Sequence, residues 1–290
     1  MTIYNLGSIN ADYFYAVPHL PAAGETLAAT SLGKGLGGKG ANMSVAAARA
    51  GAHVRHIGAV GPDGGWMVDR LMEYGVDTRA IARLDTPTGH AIINVDAAGE
   101  NAIVLYPGTN RCITDQQIGL VLSEAAAGGT LMFQNETNGQ RYAAETAKSL
   151  GMRVICCPAP YETSALEEVI SFADLVILNE VEARQHRDTT GRPIGEGTNL
   201  KVITTLGAKG CVLMDNMTGQ VQEFGAPQVT PVDTTGAGDT FAGYIAAGLD
   251  RGHSLEQSIS LAVRAAALMV TRHGTADVIP DLKDIQDARF

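Results

Sequence analysis

Apolar and polar positions along this chain fall into two rhythms. The runs Ile3–Ile9, His53–Val60, Thr130–Phe133, Arg153–Cys157, Leu175–Leu178, Lys201–Thr205 and Cys211–Met214 are short and dense in apolar side chains. Runs of that length predict buried strands. Between and after them lie longer segments whose apolar residues recur three and four apart. Ala41–Ala50, the stretch from Gly61 to about Tyr74, Thr114–Ala126, Asn138–Leu150 and Leu166–Phe172 are therefore predicted as helices, with Gly51 as a stop. The C-terminal third reads as helix over Ala237–Arg251 and Ser254–Thr271, with a last short piece after Pro280. Strands alternating with helices predict a mostly parallel sheet covered on both faces.

Two regions break that alternation. Tyr13–Val17 and Glu25–Leu32 read as short strands around a Pro-Ala-Ala-Gly turn. Gly89–Val95 and Asn101–Leu105 read as a hairpin around Asp96–Glu100. Together they predict a small β-lid, from segments of about 13–33 and 89–106, over the carboxyl ends of the main strands, where α/β sites lie. Gly33–Gly40 reads as a glycine-rich loop, Arg187–Asn199 as a polar loop and Val229–Val232 as a β-prone run. No linker or internal repeat divides the chain, so residues 1–290 are expected to form one domain.

Composition narrows the class. Hydrophobic residues make up 45% and charged residues 18% of the chain, which suits a well-cored enzyme rather than a disordered chain. The net charge of −10, without a basic run, argues against nucleic acid and anionic membranes as partners. No apolar run is long enough to span a bilayer, and the first residues lack the pattern of a signal peptide. Cys112, Cys156, Cys157 and Cys211 form no C-x-x-C pair and have no His at zinc spacing. They are expected as free thiols in a reducing cytosol, which makes the expected location cytoplasmic.

The chemistry concentrates at Asp233-Thr234-Thr235-Gly236-Ala237-Gly238-Asp239, which opens the helix expected from Ala237. Gly236, Ala237 and Gly238 leave the backbone N–H groups of a helix start uncovered, with the positive end of the dipole behind them. That is an anion site. Asp239 beside it suits a carboxylate that removes a proton from a hydroxyl while the hole stabilises a moving phosphoryl group. Taken alone, the same residues read more readily as a small-residue loop whose aspartate caps a helix.

Other candidates surround this one. Gly35, Gly37 and Gly40 match a dinucleotide fingerprint but do not follow the first strand. Gly33, Gly38 and Lys39 nearly match a P-loop, except that Gly40 stands where a magnesium-binding hydroxyl belongs. Close backbone approach to a small polar ligand is the better reading. Asn42 then reads as a group that both donates to and accepts from hydroxyls, or as a helix cap. Asn10 and Asp12 read as a grip on adjacent hydroxyls or as turn chemistry. Asn179-Glu180-Val181-Glu182 suits water-mediated magnesium or a helix cap. Thr205–Gly210 is a tight turn, against a flat or phosphorylated ligand or in an ordinary hairpin.

In order along nearly the whole chain, these motifs resemble the ribokinase (PfkB) family of carbohydrate kinases. The resemblance rests on G-S-I-N-A-D at 7–12, P-A-A-G-E-T at 21–26, G-G-K-G-A-N at 37–42, Q-N-E at 134–136, C-P-A-P at 157–160, N-E-V-E at 179–182, T-L-G-A-K-G, D-T-T-G-A-G-D-T-F and V-T-R-H-G. It implies a three-layer α/β sandwich with a mostly parallel central sheet and a small β-lid. It implies an ATP-dependent kinase acting on a primary hydroxyl, D-ribose first. The alternatives are a nucleoside such as adenosine or pseudouridine, or another pentose or hexose. An NAD-dependent oxidoreductase and a catalytically inactive binding relative are the readings from other classes.

The resemblance also assigns residues. Asn10, Asp12, Gly38, Lys39, Asn42 and Glu136 contact the sugar. Asp239 is the base, and Gly236, Ala237 and Gly238 are the anion hole. Asn179, Thr205, Gly207, Gly210 and Val263 line the ATP side, with Glu182 near Mg2+. A monovalent cation, K+, is held by Asp233, Thr235, Met269, Arg272, Gly274 and Val278, mostly through backbone oxygens. Homodimers form through the lid. The chain departs from the pattern in a short Arg187–Leu200 stretch, in Val263 where a polar residue is common, and in the bulk of Met269 and Val278.

Overall fold

The computed structural model describes residues 1–290. Thirteen strands form two sheets. The larger sheet has the order β13-β12-β11-β10-β9-β8-β1-β4-β5. Its members are β1 (Thr2–Leu6), β4 (His53–Val60), β5 (Ile81–Arg83), β8 (Thr130–Gln134), β9 (Arg153–Cys157), β10 (Leu175–Asn179), β11 (Lys201–Thr205), β12 (Cys211–Asp215) and β13 (Gln220–Phe224). All neighbours from β11 to β5 pair in parallel, and β12 alone runs against its neighbours.

Helices cover both faces. On one side lie α1 (Lys39–Arg49), α2 (Gly65–Glu73), α7 (Ala237–Asp250), α8 (Leu255–Met269) and α9 (Leu282–Asp287), which enclose the larger core. On the other lie α3 (Asp115–Ser123), α4 (Gln140–Ser149), α5 (Thr163–Val169) and α6 (Glu180–Thr190) over a second core. This is the three-layer α/β fold expected. No helix is long and apolar enough to cross a membrane. The four cysteines are unpaired, and all but Cys112 are buried.

Strand β1 lies between β4 and β8, so strand order reverses around it. Ligands of open α/β sheets bind at such a switch point, beyond the carboxyl ends of the strands. There the chain passes into the second sheet, order β3-β2-β6-β7, built from β2 (Asn10–Ala16), β3 (Ser31–Gly37), β6 (Gly89–Val95) and β7 (Asn101–Tyr106).

Several boundaries differ from the sequence expectation. The run Gly33–Gly40, expected as a loop, is mostly strand β3, antiparallel to β2. Its glycines are needed there by contact. A Cβ on Gly37 would stand 1.9 Å from the Asp12 carboxylate, and one on Gly40 would stand 2.4 Å from the Gly7 Cα. The fingerprint glycines therefore close strand against strand and helix against strand, which removes the NAD reading. Strand β1 ends at Leu6, because Gly7 turns into that contact with Gly40. Residues 229–232 form no strand. The Val232 and Asp233 N–H groups instead share the Val270 carbonyl, at 2.7 and 3.1 Å. Helix α6 takes in Arg187–Thr190, part of the expected loop. The rest, through Leu200, has no helix. It borders a polar cavity of about 520 Å³ near Lys148, Asp174, His186 and Arg192, at the amino ends of β9–β11 and away from the switch point.

Helices α1 and α7 approach closely because their contact is made of Ala and Gly. A Cβ on Gly243 would lie 2.6 Å from both the Ala46 Cβ and the Met43 carbonyl. Filling such a contact costs about 1–3 kcal/mol. Tyr244 anchors the same helix, its buried hydroxyl donating to the Pro280 carbonyl at 2.6 Å. This packing sets the first turn of α1 beside the first turn of α7.

Candidate active site

Asn42 lies in the first turn of α1 and Asp239 in the first turn of α7, and both are buried. The Asn42 Nδ2 donates to Asp239 Oδ2 at 2.9 Å. Gly38, not Asn42, is the N-cap of α1, so the capping reading of Asn42 does not hold. Asp239 makes no capping bond either, and α7 is capped by Gly236 in the left-handed region, φ 76°. The Asn42 Oδ1 is buried without a protein partner. A buried amide oxygen left so is costly unless a ligand supplies a donor.

The N–H groups of Gly236, Gly238 and Asp239 find no acceptor in the protein, whereas that of Ala237 turns back to the Thr234 carbonyl at 3.3 Å. The acceptor-free main-chain donors at this helix start are therefore those of Gly236, Gly238 and Asp239, and not that of Ala237. A Cβ on Gly238 would meet nothing within 4 Å, so this side of the helix start is open. Burial raises the Asp239 carboxyl above the usual carboxylate range, opposed by the Lys39 charge and the Asn42 amide. A raised value suits a base working near neutral pH. Lys39 is itself raised, chiefly by Asp239 and against its burial, with Glu136, Glu182 and Asp12 adding in the same direction. One ammonium thus faces four carboxylates.

Strand β2 carries Asn10 and Asp12 on one face, two residues apart. They sit in a strand, which removes the turn reading. Asp12 is pushed up to about 7, first by burial and then by the Glu136 charge, with Lys39 opposing. Glu136 follows β8 and reaches across the switch point. Its Oε2 accepts from the Lys39 N–H at 3.1 Å and from the Ser8 hydroxyl. Ser8 Oγ also accepts from the Gly40 N–H at 3.2 Å. Gly38 has φ 94°, and a Cβ there would stand 2.9 Å from the Ser8 carbonyl. Asn10, Asp12, Gly38, Lys39, Asn42, Glu136 and Asp239 thus converge on one cleft. No sequence motif marks Asn110, a buried residue whose Nδ2 donates to Asn10 Oδ1 at 2.7 Å.

Beneath these residues a chain of buried polar groups runs from Asn5 to His56. Asn5 Nδ2 donates to Ser44 Oγ at 2.8 Å, and Ser44 Oγ meets His56 Nδ1 at 2.8 Å. His56 Nε2 lies 3.0 Å from the Gly7 carbonyl, which only accepts, so Nε2 carries the proton. Burial lowers His56 to about 4 and keeps it neutral.

On the far side of Asp239, Asn179 caps α6. Its Oδ1 accepts from the Val181 and Glu182 N–H groups at 2.9 Å each, while Glu182 Oε2 accepts from the Asn179 N–H at 2.8 Å. The capping reading therefore holds, and the box leaves the second Glu182 oxygen for another partner. Burial raises Glu182, with Lys39 opposing and Asp239 reinforcing. No three His, Cys, Asp or Glu side chains cluster as a metal cage. The Glu182 oxygen left free by the capping box is a single carboxylate donor, the kind that would suit Mg2+, which keeps several waters and is held largely by phosphate oxygens.

Thr205 ends β11, its hydroxyl 3.4 Å from the Leu178 carbonyl. The turn Thr205–Gly210 joins β11 to β12 as a hairpin. Gly210 is needed there because a Cβ would strike the Phe224 carbonyl, whereas Gly207, φ 58°, faces open space. Val263 is 6% exposed in α8 and packs in the larger core.

The residues expected around a monovalent cation also come together. Asp233 Oδ1 accepts from the Thr235 N–H at 2.9 Å and Oδ2 from the Gly274 N–H at 3.3 Å. The Met269 carbonyl accepts from the Arg272 N–H, and the Val278 carbonyl accepts from the Arg272 guanidinium at 3.3 Å. A carbonyl keeps a second lone pair beyond one such bond, so this oxygen-only set fits a hard cation. The Met269 side chain fills the space behind the hole: its Sδ accepts from the Thr240 hydroxyl, and its methyl would lie 2.9 Å from a Cβ on Gly236.

Comparisons with known proteins agree with this geometry. The model of the pfkB family carbohydrate kinases matches residues 2–282. A ribokinase of Haemophilus influenzae is 34% identical, the match covering 96% of this chain and 95% of that one. The crystal structure of ribokinase from Thermotoga maritima superposes with a TM-score of 0.88 at 31% identity, over 99% of this chain and 98% of that one. A structure of Arabidopsis thaliana ribokinase complexed with ribose and ATP superposes with a TM-score of 0.85 at 26% identity, over 98% and 97% of the two chains.

Proposed function

The chain belongs to the pfkB family of carbohydrate kinases and is an ATP-dependent sugar kinase, and from that premise we propose that it phosphorylates the primary hydroxyl of D-ribose. The observation that carries the reading is the pair Asn42 and Asp239 at the N-terminus of α7, beside three N–H groups without acceptors. Asp12 accepts from hydroxyls on one edge of the sugar and Asn10 binds beside it. Asn42 Oδ1, the Gly38-Lys39 backbone and Glu136 hold the rest. In this reading the primary hydroxyl lies against Asp239, which takes its proton as the hydroxyl oxygen attacks the γ-phosphate in line and the bond from the γ-phosphorus to the bridging oxygen breaks, releasing ADP. The Gly236, Gly238 and Asp239 N–H groups take up charge on the transferred group. Glu182 would hold the magnesium that accompanies ATP, which would supply neutralisation of phosphate charge. Asp233, Thr235, Met269, Arg272, Gly274 and Val278 would hold a potassium ion, which would order the loop behind the hole.

A second observation bears on assembly. Ile92, Ile103, Val104, Leu105 and Tyr106 of the second sheet are exposed, with Leu32 on its other edge strand. Exposed apolar strands of this length mark an interface. In this reading two copies join through the second sheets, which act as lids over the two sites. Light scattering on Val104→Asp, expected as a monomer beside a dimeric parent, tests it.

The substrate is tested by turnover with ribose, 2-deoxyribose, fructose, adenosine and pseudouridine. A site of many polar groups is penalised for every hydroxyl its ligand lacks. Ribose is expected to exceed 2-deoxyribose clearly in kcat/KM. Higher kcat/KM with adenosine or pseudouridine would replace the sugar by a nucleoside, stacked against Tyr13 or Phe14.

A further inference from the structure

Asn10 faces the sugar with an amide, and an amide has two ends that differ in kind. One end only accepts and the other only donates. Which end meets the ligand is decided by the residues behind it. The Ile9 N–H, a donor only, points at Asn110 Oδ1 at 2.9 Å. That fixes the Asn110 carbonyl end, and its Nδ2 must then face Asn10, where it donates to Oδ1 at 2.7 Å. Asn10 is left with its Nδ2 as the end available to a ligand. Both amides are essentially buried, at 3% and 1% exposed, so no solvent supplies an alternative arrangement.

The surroundings hold this relay rigidly. Gly89 pairs in register with Asn10. A Cβ on Gly89 would stand 2.2 Å from Asn110 Nδ2 and 2.5 Å from Asn10 Oδ1. Asn110 belongs to a single 3₁₀ turn, Gly108–Arg111, that directly follows β7. Its neighbours tie the turn down on both sides. Thr109 Oγ1 donates to the Ala59 carbonyl at 2.9 Å. Arg111 donates to the Thr137 and Asn135 carbonyls at 2.6 and 3.3 Å, on either side of Glu136.

We propose that Asn110 is a positioning residue that fixes Asn10 as a hydrogen-bond donor toward the sugar. The inference rests on the sugar-site reading above. It gives Asn10 and Asp12 opposite roles on one edge: Asn10 donates to a sugar oxygen and Asp12 accepts from a sugar hydroxyl. The oxygen that faces Asn10 must therefore be an acceptor.

The test is Asn110→Asp, a change of one atom that turns the donor facing Asn10 into an acceptor. The Asn10 amide is then expected to turn over and present its oxygen to the sugar. KM for ribose should rise about tenfold or more with kcat within a few-fold of the parent, because ground-state binding is what is lost. The double variant Asn10→Ala/Asn110→Asp should bind ribose no worse than Asn10→Ala alone, since Asn110 acts through Asn10. Deoxyfluoro-riboses, whose fluorine accepts weakly and never donates, should lose more against ribose in Asn110→Asp than in the parent at one ring position. Should Asn110→Asp fail to accumulate as folded protein, Gly89→Ala wedges the same pair apart and should give the same KM rise. An unchanged KM in these variants, or losses that add to those of Asn10→Ala, overturns the inference. An unchanged KM in Asn10→Ala itself instead overturns the sugar-site reading.

Discussion

The Asn42 amide donates to Asp239 at 2.9 Å, while the oxygen of the same amide lies buried with no protein partner. One side chain thus orients the carboxylate and offers an acceptor to whatever hydroxyl lies between them.

Asp239→Asn keeps the shape of the site and removes the base. We expect kcat to fall by about 10²–10⁴-fold with ATP affinity retained. Single-turnover kinetics and ATP titration check both parts, and full activity in this variant would take Asp239 out of the mechanism.

Gly238→Val separates fold from phosphate binding. A Cβ at Gly238 meets nothing within 4 Å, so thermal stability should be nearly unchanged. The added bulk stands where the phosphoryl group is expected and would hold it away from the main-chain donors, and losing one such contact typically costs about 10²–10³-fold in kcat. Wild-type turnover with an unchanged melting temperature would place the phosphate elsewhere.

Ribose affinity should depend on pH through Asp12. Its carboxyl sits at about 7, so it is largely protonated at pH 6 and ionised at pH 8. Only the ionised form accepts from two hydroxyls, so calorimetric affinity should rise across that window. Asp12→Asn should bind ribose weakly and show no such rise.

Stability should fall on acidification through His56. Its folded value, about 4, lies below the ordinary 6.5, so the neutral form is favoured by folding. That contribution is complete above about pH 6.5 and is lost as pH falls toward 4, amounting to roughly 3 kcal/mol. Denaturant titrations of the parent and His56→Gln should diverge in slope over this window; parallel pH profiles would refute the assignment.

Turnover should be higher in potassium than in sodium or a bulky ammonium salt. The Asp233 carboxylate and nearby carbonyls already share donors, and the ion is expected to tighten the loop that carries Gly236. Equal rates in all three salts would mean that Met269 and Val278 leave no room for it.

Much of this was legible in residue order. His53–Val60, Gly89–Val95, Arg153–Cys157 and Lys201–Thr205 are strands over the expected residues, because dense β-branched runs bounded by turns have few other solutions. The glycine strand β3 was not legible as a strand. Gly33, Gly35 and Gly37 alternate along it, and a face without side chains carries no apolar period. Strand β13, Gln-Val-Gln-Glu-Phe, is too polar to stand out, and β5 has three residues, too few for a pattern. Asp239 and Asn42 announce themselves through neighbours of unusual composition. Ser8 and Asn110 do not, since each acts through a contact more than 95 residues away in sequence and leaves no local trace.

The packing of α1 on α7 also bears on how the chain matures during synthesis. Asn42 and Asp239 are 197 residues apart. Every strand of both sheets precedes α7, and domains of this kind assemble as the chain emerges. Until Ala237–Asp250 leaves the ribosome, the side of α1 that packs on α7, at Met43, Ala46 and Ala47, lacks that helix. A nascent chain at that stage carries Asn10, Asp12 and Asn42 but not yet Asp239. Assembly of the Asn42–Asp239 pair and burial of that side of α1 therefore arrive in the same late step.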